Sequence, residues 1–355
     1  MSSPTLQVPR KRDAGDRGSR PQLPLGILKI MTPEILKNLL QRAGLSPNKT
    51  YGQHFLMDET ILEDMIDVAA VSKEDTVVEI GPGIGNLTER LLARAGQVLS
   101  LEKDPQFERV LRLLKKHHSN FEYELIDALK FNFSDWLSSQ ELFMSSPRHP
   151  LSSPQPSLPS PRHPLSSPRR RGSIPRFPIK SGMTKSQDQG RGEYKVVANI
   201  PYYITGKIVQ LFLQQPHKPE SLTLLMQKEV AKNIVAKPGQ LNLLAISVQL
   251  YGQAKLVSIV PALKFYPKPK VDSAVIHIEL YKKPKYKLPD EKKFFRVLRA
   301  CFAGKRKQIH NTLVNNLGLE KDIVAEVLAK LKIEPRTRPQ QLSIQQWVEL
   351  VDSIE

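Results

Sequence analysis

The sequence is short of cysteine and of long apolar runs, and both shortages exclude classes of protein. Cys301 is the only thiol among 355 residues, so the chain can form no internal disulfide and no multi-cysteine zinc site. No uncharged apolar run approaches the roughly 20 residues that a membrane-spanning helix needs. We therefore expect a protein of a reducing, cytoplasmic compartment, with no metal site and no membrane span.

Positive charge is abundant but unevenly distributed along the chain. The whole sequence has 53 Lys and Arg residues against 35 Asp and Glu residues, a formal net charge of +18. Residues 31–144 carry 12 basic and 18 acidic side chains, whereas residues 194–355 carry 26 and 13. An acidic first half and a basic second half suggest two functions, one of them contact with a polyanion such as nucleic acid.

Two segments lack the patterns of a folded core. Residues 145–193 contain ten prolines and eleven serines, and the sequence SPRHPLSSP occurs in them twice. This composition predicts a disordered insertion, and the alternative is a basic RNA-binding arm around Arg169–Arg171. We likewise expect residues 1–30 to form a disordered basic extension, and translation from Met31 is a hypothesis.

Strand and helix patterns alternate in the remaining sequence. Short apolar runs predict strands at 76–80, 97–101, 121–126, 195–198, 221–226 and 273–280. One predicted helix carries Ile61, Leu62, Met65, Ile66, Ala69 and Ala70 on a single face. The βαβαβ series predicts a Rossmann-like α/β domain with a parallel sheet over residues 31–287, interrupted by the insertion. Residues 288–355 show only helical patterns, which predicts a small all-α C-terminal domain.

A glycine-rich turn follows the first predicted strand of the sheet. Gly81, Gly83 and Gly85 precede a helix, where glycines let the backbone approach a nucleotide-like cofactor at the helix N-terminus. The G-x-G-x-G spacing suits S-adenosylmethionine better than the G-x-G-x-x-G spacing of dinucleotide sites. Glu102, after the next strand, can accept hydrogen bonds from ribose hydroxyls, and Asp127 is placed to meet an adenine amino group. Either cofactor would use both acids.

The segment Asn199-Ile-Pro-Tyr-Tyr203 follows the fourth predicted strand and resembles the Asn/Asp-Pro-Pro-Tyr motif of amino-group methyltransferases. An adenine N6 amino group is a poor nucleophile because its lone pair is delocalised into the ring. The side-chain carbonyl of Asn199 and a main-chain carbonyl near Ile200 or Pro201 can accept both N–H hydrogens and aim the nitrogen at a sulfonium methyl. Tyr202 offers a flat face on which an extruded base can stack.

Further motifs in a fixed order make the sequence similar to a known family. They are Tyr51–Leu56, Glu79–Gly83, Leu101–Asp104, Asp127–Ala128, Asn199–Tyr202, Met226–Val230, Phe265–Ser273 and Lys305–Lys307. Over residues 45–144 and 194–355 the chain resembles the bacterial small-subunit (16S) ribosomal RNA adenine N6-dimethyltransferases, the KsgA or RsmA family. The resemblance implies a class I S-adenosylmethionine-dependent methyltransferase fold with a helical RNA-binding domain.

The resemblance also implies roles for single residues, and His54 stands where the family usually has an asparagine. The implied cofactor contacts are His54, Leu56, Gly81, Glu102, Asp127, Ala128 and Asn199. Asn199, Pro201 and Tyr202 would form the catalytic turn, with Phe265 stacking on the target base opposite Tyr202. The basic residues implied at the RNA are Lys305, Arg306 and Lys307, which could hold its phosphates.

The resemblance predicts the target of a methyl transfer. It implies dimethylation at N6 of two adjacent adenosines near the 3′ end of 16S rRNA, in the small ribosomal subunit or its precursor, and we expect a monomer. Three alternatives stay open. They are a large-subunit rRNA adenine methyltransferase of the antibiotic-resistance type, a ribosome-assembly factor with dispensable catalysis and, more distantly, a nicotinamide-dependent oxidoreductase.

Overall fold

The computed structural model describes residues 32–137 and 194–354, except positions 284, 289 and 305. The predicted extension over residues 1–30 and the insertion over residues 145–193 lie outside the described residues. The strands are β1 (Phe55–Leu56), β2 (Thr76–Ile80), β3 (Gln97–Glu102), β4 (Phe121–Leu125), β5 (Tyr194–Asn199), β6 (Ser221–Gln227), β7 (Gly252–Val260), β8 (Phe265–Tyr266) and β9 (Ser273–Leu280). The helices are α1 (Pro33–Ala43), α2 (Glu59–Val68), α3 (Asn86–Arg94), α4 (Glu108–His117), α5 (Thr205–Gln214), α6 (Lys228–Ile234), α7 (Leu243–Tyr251), α8 (Glu291–Phe302), α9 (Ile309–Leu317), α10 (Lys321–Lys330) and α11 (Ile344–Ser353).

Within the described residues, seven strands form one sheet with the order β4-β3-β2-β5-β6-β9-β7. The first five are parallel to their neighbours, as the βαβ series predicts, whereas β9 is antiparallel to both β6 and β7. Helices cover both faces of the inner parallel strands, which explains why most residues of these strands are apolar and buried. β1 and β8 pair separately as a short antiparallel ribbon.

Three apolar clusters hold the fold together. One packs α1 to α4 on one face of the sheet, and a second packs α5 on the other face. The third joins α8 to α11, and it also includes Leu241, Ala245, Ile246 and Leu250, which lie in or next to α7. The C-terminal helices therefore share an apolar core with a helix of the sheet domain, and the predicted boundary at residue 288 stays a prediction.

Most of the predicted helical face on α2 is buried. The carboxylate of Asp58 caps this helix by accepting hydrogen bonds from the N–H groups of Thr60 and Ile61. Leu62, Met65, Ile66 and Ala69 are buried, and Ile61 is partly buried against the same cluster. The prediction is wrong for Ala70, which lies beyond the helix end with φ of 48° and is exposed.

Two adjacent elements, α7 and β7, have no counterpart in the sequence prediction. α7 is apolar almost all round because Val248 packs into the sheet cluster while Ala245 and Ile246 pack into the C-terminal cluster. A helix that is buried on opposite sides has no single apolar stripe for periodicity to detect. β7 is an edge strand and is partly exposed along its middle, so its apolar run is weak.

Gly96, in the turn between α3 and β3, provides a test of this packing. A Cβ atom at this position would lie 2.3 Å from the carbonyl oxygen of Lys73, whereas a Cβ at Gly206 in α5 would meet nothing within 4 Å. We expect Gly96→Ala to lower the free energy of unfolding by about 1–3 kcal/mol or more, because the backbone must shift. Gly206→Ala is the matched control and should leave that free energy equal or slightly higher. Urea unfolding measures both, and equal stabilities would contradict the described turn.

Candidate active site at the carboxyl edge of the sheet

A cleft of about 750 Å³ opens beyond the carboxyl ends of β2, β3 and β5. The strand order reverses between β2 and β5, and α/β sheets bind ligands at such a switch point. Five segments contribute the lining residues, within 51–55, 80–83, 101–103, 126–128 and 199–204. The cleft therefore brings together three separate sequence motifs: the glycine turn, the two acids and the Asn-Ile-Pro-Tyr turn.

The glycine turn needs residues without side chains. Gly81, Gly83 and Gly85 have φ values of 71°, 54° and 85°, which L-residues with a Cβ rarely adopt. A Cβ at Gly83 would lie 3.0 Å from the ring of Phe55. A Cβ at Gly81 would lie 4.0 Å from the carbonyl oxygen of Asn199, so the glycine turn directly adjoins the Asn-Ile-Pro-Tyr turn.

Glu102 is fixed in the wall of the cleft by main-chain hydrogen bonds. Its Oε2 accepts the N–H of Gly83 at 3.0 Å, and its Oε1 accepts the N–H of Asp104 at 2.8 Å. Burial raises the pKa of Glu102, and these two hydrogen bonds oppose the rise. The carboxylate is therefore rigid, and it retains lone pairs for ribose hydroxyl groups.

Asp127 lines the cleft, but its carboxylate already has partners. Its Oδ1 accepts the N–H of Leu129 at 3.1 Å, and its Oδ2 lies 2.9 Å from Nζ of Lys103. Burial opposes ionisation of Asp127, but these bonds outweigh it and lower its pKa. Nζ of Lys103 also lies 5.6 Å from the centre of the Tyr51 ring. An adenine amino group would share Asp127 with Lys103.

Main-chain and side-chain hydrogen bonds orient the turn after β5. Nδ2 of Asn199 donates to the carbonyl oxygen of His54 at 3.2 Å, which leaves Oδ1 as the acceptor of the amide. The carbonyl of Pro201 accepts the N–H of Ile204 at 3.2 Å, so the carbonyl of Ile200 is the better second acceptor. The hydroxyl of Tyr202 lies 2.6 Å from Oγ of Ser273, and burial raises the Tyr202 pKa.

Two predicted contacts differ from the structure. Leu56 is 3% exposed and is absent from the cleft lining, where its neighbour Phe55 takes its place. Phe265 is 2% exposed and packs in the core, so its ring forms no clamp with Tyr202 in this structure. The ring that stacks on Tyr202 is that of His54, with centroids 5.6 Å apart and 24° between the planes. Pairing of β8 with β1 turns Phe265 inward, which no local pattern reveals.

The basic run predicted at the RNA lies between α8 and α9. Arg306 and Lys307 are exposed there, and Lys305 is one of the positions outside the described residues. Near β8, Lys268 and Lys270 are exposed, whereas Nζ of Lys264 pairs with Asp58 at 2.7 Å. Lys264 is therefore less available to phosphates than its neighbours.

The sequence analysis included Glu79 in a motif but gave it no role, and the structure shows it as a buried acid directly behind the glycine turn. Its Oε2 accepts the hydroxyl of Thr88 at 2.8 Å and that of Ser100 at 2.6 Å, which ties β2 to α3 and β3. Burial raises the pKa of Glu79 from 4.5 to about 7, against those two hydrogen bonds. The available signal was an acidic residue within the apolar run Thr76–Ile80, because Asp and Glu are almost never fully buried unless they are paired.

The sheet order and the two turns at its carboxyl edge define a class I S-adenosylmethionine-dependent methyltransferase fold. A dimethyladenosine transferase from Plasmodium falciparum shares it with a TM-score of 0.60 at 22% identity, covering 83% of this chain and 95% of that one. The 23S rRNA methyltransferase ErmE shares it with a TM-score of 0.56 at 23% identity, covering 84% and 98%.

The family follows from sequence similarity over most of the chain. Residues 44–355 match the model of the ribosomal RNA adenine dimethylase family. Ribosomal RNA small subunit methyltransferase A of Dehalococcoides mccartyi (strain CBDB1) is 35% identical over 314 residues, covering 88% of this chain and 90% of that protein. The protein of the same name from Clostridium botulinum (strain Okra / Type B1) is 33% identical, covering 90% and 98%. The chain belongs to the ribosomal RNA adenine dimethylases.

The cleft fits S-adenosylmethionine, the methyl donor of this class of enzyme. The turn at Gly81 and Gly83 leaves space that a Cβ would fill, and the buried Glu102 supplies oxygens for a ribose. Among the residues that the structure describes, no helix is long and apolar enough to cross a membrane. No group of three or more His, Cys, Asp or Glu side chains in the same ranges is arranged to hold a metal ion.

We expect Glu79→Gln to flatten the dependence of stability on pH. The pKa of Glu79 is raised on folding, so its protonated form stabilises the folded protein. This contribution to the free energy of unfolding is fully present below pH 4.5 and is lost as the pH rises through about 7. The loss is on the order of 3 kcal/mol over that window. The difference in unfolding free energy between pH 5 and pH 8, measured in urea, should therefore be smaller for Glu79→Gln than for the unaltered protein. Identical pH profiles would show that Glu79 is ionised at both pH values.

Proposed function

We propose that this protein dimethylates N6 of two adjacent adenosines near the 3′ end of 16S rRNA, in the small ribosomal subunit or its precursor. The observation that carries the proposal is the position of Asn199, whose amide lines the same cleft as Gly81 and Glu102. Membership of the rRNA adenine dimethylases supports the reaction, and the names of the curated relatives support the small-subunit target. Such a modification belongs to ribosome biogenesis.

The cofactor would lie across the ends of β2, β3 and β4. S-adenosylmethionine supplies an electrophilic methyl group on a positively charged sulfur. In the proposed complex Glu102 accepts its ribose hydroxyls, while Asp127 and Ala128 contact its adenine. Gly81 and His54 lie at its methionine part. The ion pair of Lys103 with Asp127 would weaken when the adenine amino group binds, because the Asp127 carboxylate would then accept hydrogen bonds from both groups.

The acceptor amine would be held by oxygens rather than by a strong base. Oδ1 of Asn199 and the carbonyl of Ile200 each accept one N6 hydrogen, which draws the lone pair out of conjugation with the ring. The hydrogen bond from Asn199 to the His54 carbonyl fixes the amide before substrate binds. Preorganised acceptors of this kind lower the barrier by holding the nucleophile in line with the methyl group.

The target base would be extruded from its stack and placed against the face of the Tyr202 ring that His54 does not cover. Base–aromatic stacking contributes about 1–3 kcal/mol per base in single-strand binding. The hydrogen bond between the hydroxyls of Tyr202 and Ser273 holds the tyrosine ring in place from the side of β9. Tyr203, 53% exposed at the mouth of the cleft, is available for a flanking nucleotide.

The basic C-terminal helices would bind the rRNA outside the cleft. Residues 288–355 carry the exposed Arg306 and Lys307 in the turn before α9, and phosphate contacts there would position the RNA without reading its sequence. We propose the same role for Lys305. We propose that the protein acts as a monomer in the cytoplasm, where ribosomal subunits assemble.

Asn199→Ala should slow methyl transfer about 100- to 1,000-fold, the typical cost of losing one preorganised hydrogen-bonding group at a reacting centre, while leaving cofactor affinity almost unchanged. Glu102→Ala is the converse variant, and it should weaken S-adenosylmethionine binding because the ribose acceptors are lost. Single-turnover methylation and calorimetry of cofactor binding separate the two effects. Unchanged turnover in Asn199→Ala would refute the role assigned to its amide.

The substrate is tested with purified ribosomal subunits that lack the modification. We expect labelled methyl groups to enter two adjacent adenosines of 16S rRNA in small subunits, and none to enter large subunits. Mapping of the labelled nucleotides identifies the site. Transfer to large-subunit rRNA would favour the antibiotic-resistance type of activity, and the absence of transfer to either would favour an assembly factor.

A further inference from the structure

The side chain of His54 is fixed beside the catalytic turn. Its ring stacks on Tyr202, and its Nδ1 lies 2.6 Å from the carbonyl oxygen of Pro267. Its own main-chain carbonyl accepts Nδ2 of Asn199. His54 also lines the cleft, next to the turn that would hold the acceptor amine.

The contact with Pro267 determines the tautomer of His54. A carbonyl oxygen can only accept a hydrogen bond, so Nδ1 must carry the hydrogen. In a neutral imidazole Nε2 then keeps a lone pair. No hydrogen bond from the described ranges engages Nε2. His54 therefore brings a basic nitrogen to the edge of the proposed amine site.

Dimethylation creates a need for such a nitrogen. Each methylation of an N6 amine releases one proton, and an adenosine that gains two methyl groups releases two. The amide oxygen of Asn199 and the carbonyl of Ile200 can hold an N–H, but both are too weakly basic to keep its proton. A bound base would displace the water next to its own N6 nitrogen, so an acceptor within the protein shortens the path of the proton.

The other acids and bases of the cleft are already engaged. Both carboxylate oxygens of Glu102 accept main-chain N–H groups. The carboxylate of Asp127 pairs with Lys103 and accepts the main-chain N–H of Leu129. Tyrosine hydroxyls and lysine ammonium groups are proton donors at neutral pH. His54 is thus the best placed acceptor among the lining side chains.

We propose that Nε2 of His54 accepts the N6 proton during methyl transfer, which makes His54 a catalytic residue of the function proposed above. As the N6 nitrogen bonds to the methyl carbon, the bond from that carbon to sulfur breaks and its electron pair stays on sulfur. One N6 proton passes to Nε2. The resulting imidazolium keeps its hydrogen bond to Pro267 and releases the proton to solvent through the open cleft.

Several ionisable groups surround His54. Those sharing the cleft are Tyr51, Glu102, Lys103, Asp127, Tyr202 and Tyr203. Asp58 and Lys264 form an ion pair beside the ribbon β1–β8, and Lys268 follows Pro267. Tyr202 contacts the imidazole and keeps its proton because burial raises its pKa. The hydroxyl of Tyr202 therefore does not compete with His54 as a proton acceptor.

Two variants separate proton transfer from the other contacts of His54. His54→Phe keeps a ring to stack on Tyr202 but has no nitrogen, and His54→Gln keeps an N–H donor for Pro267 but has no basic nitrogen. We expect both to reduce the single-turnover rate of methylation on small subunits about 100-fold, the lower end for general-base catalysis. Because His54 also lies at the methionine part of the cofactor, cofactor affinity is measured by calorimetry and the rates are compared at saturating cofactor.

A spectroscopic measurement tests the proposal independently of turnover. In protein labelled with ¹⁵N and ¹³C, the two ring nitrogens of His54 should show hydrogen on Nδ1 and a lone pair on Nε2, with sequential main-chain assignment identifying the signals. Hydrogen on Nε2 overturns the proposal even if neither variant folds. Full activity of His54→Phe would reduce the role to stacking, and full activity of His54→Gln would reduce it to the Pro267 contact. Absence of transfer by the unaltered enzyme would instead refute the proposed function.

Discussion

The hydrogen bond from the Asn199 amide to the carbonyl of His54 joins the two halves of the active site. Asn199 ends a central strand, whereas His54 belongs to a strap outside the sheet that begins the ribbon β1–β8. The strap is held on its other side by Gln53, whose Nε2 donates to Asp104, and the N–H of Asp104 donates in turn to Glu102. These bonds add a link through the strap to the pairing of β2 with β5, which already places the two walls of the cleft side by side.

Burial makes the two carboxylates on the cofactor side of the cleft costly to ionise. Glu102 and Glu79 are both nearly inaccessible, and the charge of Glu102 adds to the cost of ionising Glu79. Hydrogen bonds offset part of that cost. The N–H groups of Gly83 and Asp104 donate to Glu102, and the hydroxyls of Thr88 and Ser100 donate to Glu79. Each buried acid is therefore held in place by donors of its own.

The central sheet could be predicted from the sequence because buried parallel strands are short apolar runs bounded by turns. β2 was predicted to the residue, and the glycine and Asn-Ile-Pro-Tyr turns were placed at its carboxyl edge. The ribbon β1–β8 could not be predicted, since each strand has two residues and pairing alone defines it. The same pairing buries Phe265 and brings His54 to Tyr202. The pair of Lys103 with Asp127 likewise depends on strands adjacent only in the folded sheet.

The shared core around α7 determines how the basic C-terminal helices can act on RNA. Tyr251, at the end of α7, donates its hydroxyl hydrogen to Glu291 at the start of α8, and Lys218 lies 5.2 Å over its ring. Apolar residues of α7 complete the cluster of α8 to α11. The turn that carries Arg306 and Lys307 is therefore attached to the sheet through packed side chains rather than through a free linker. A phosphate bound there would lie at a set distance from the cleft, so backbone contacts alone could select which nucleotide reaches Asn199.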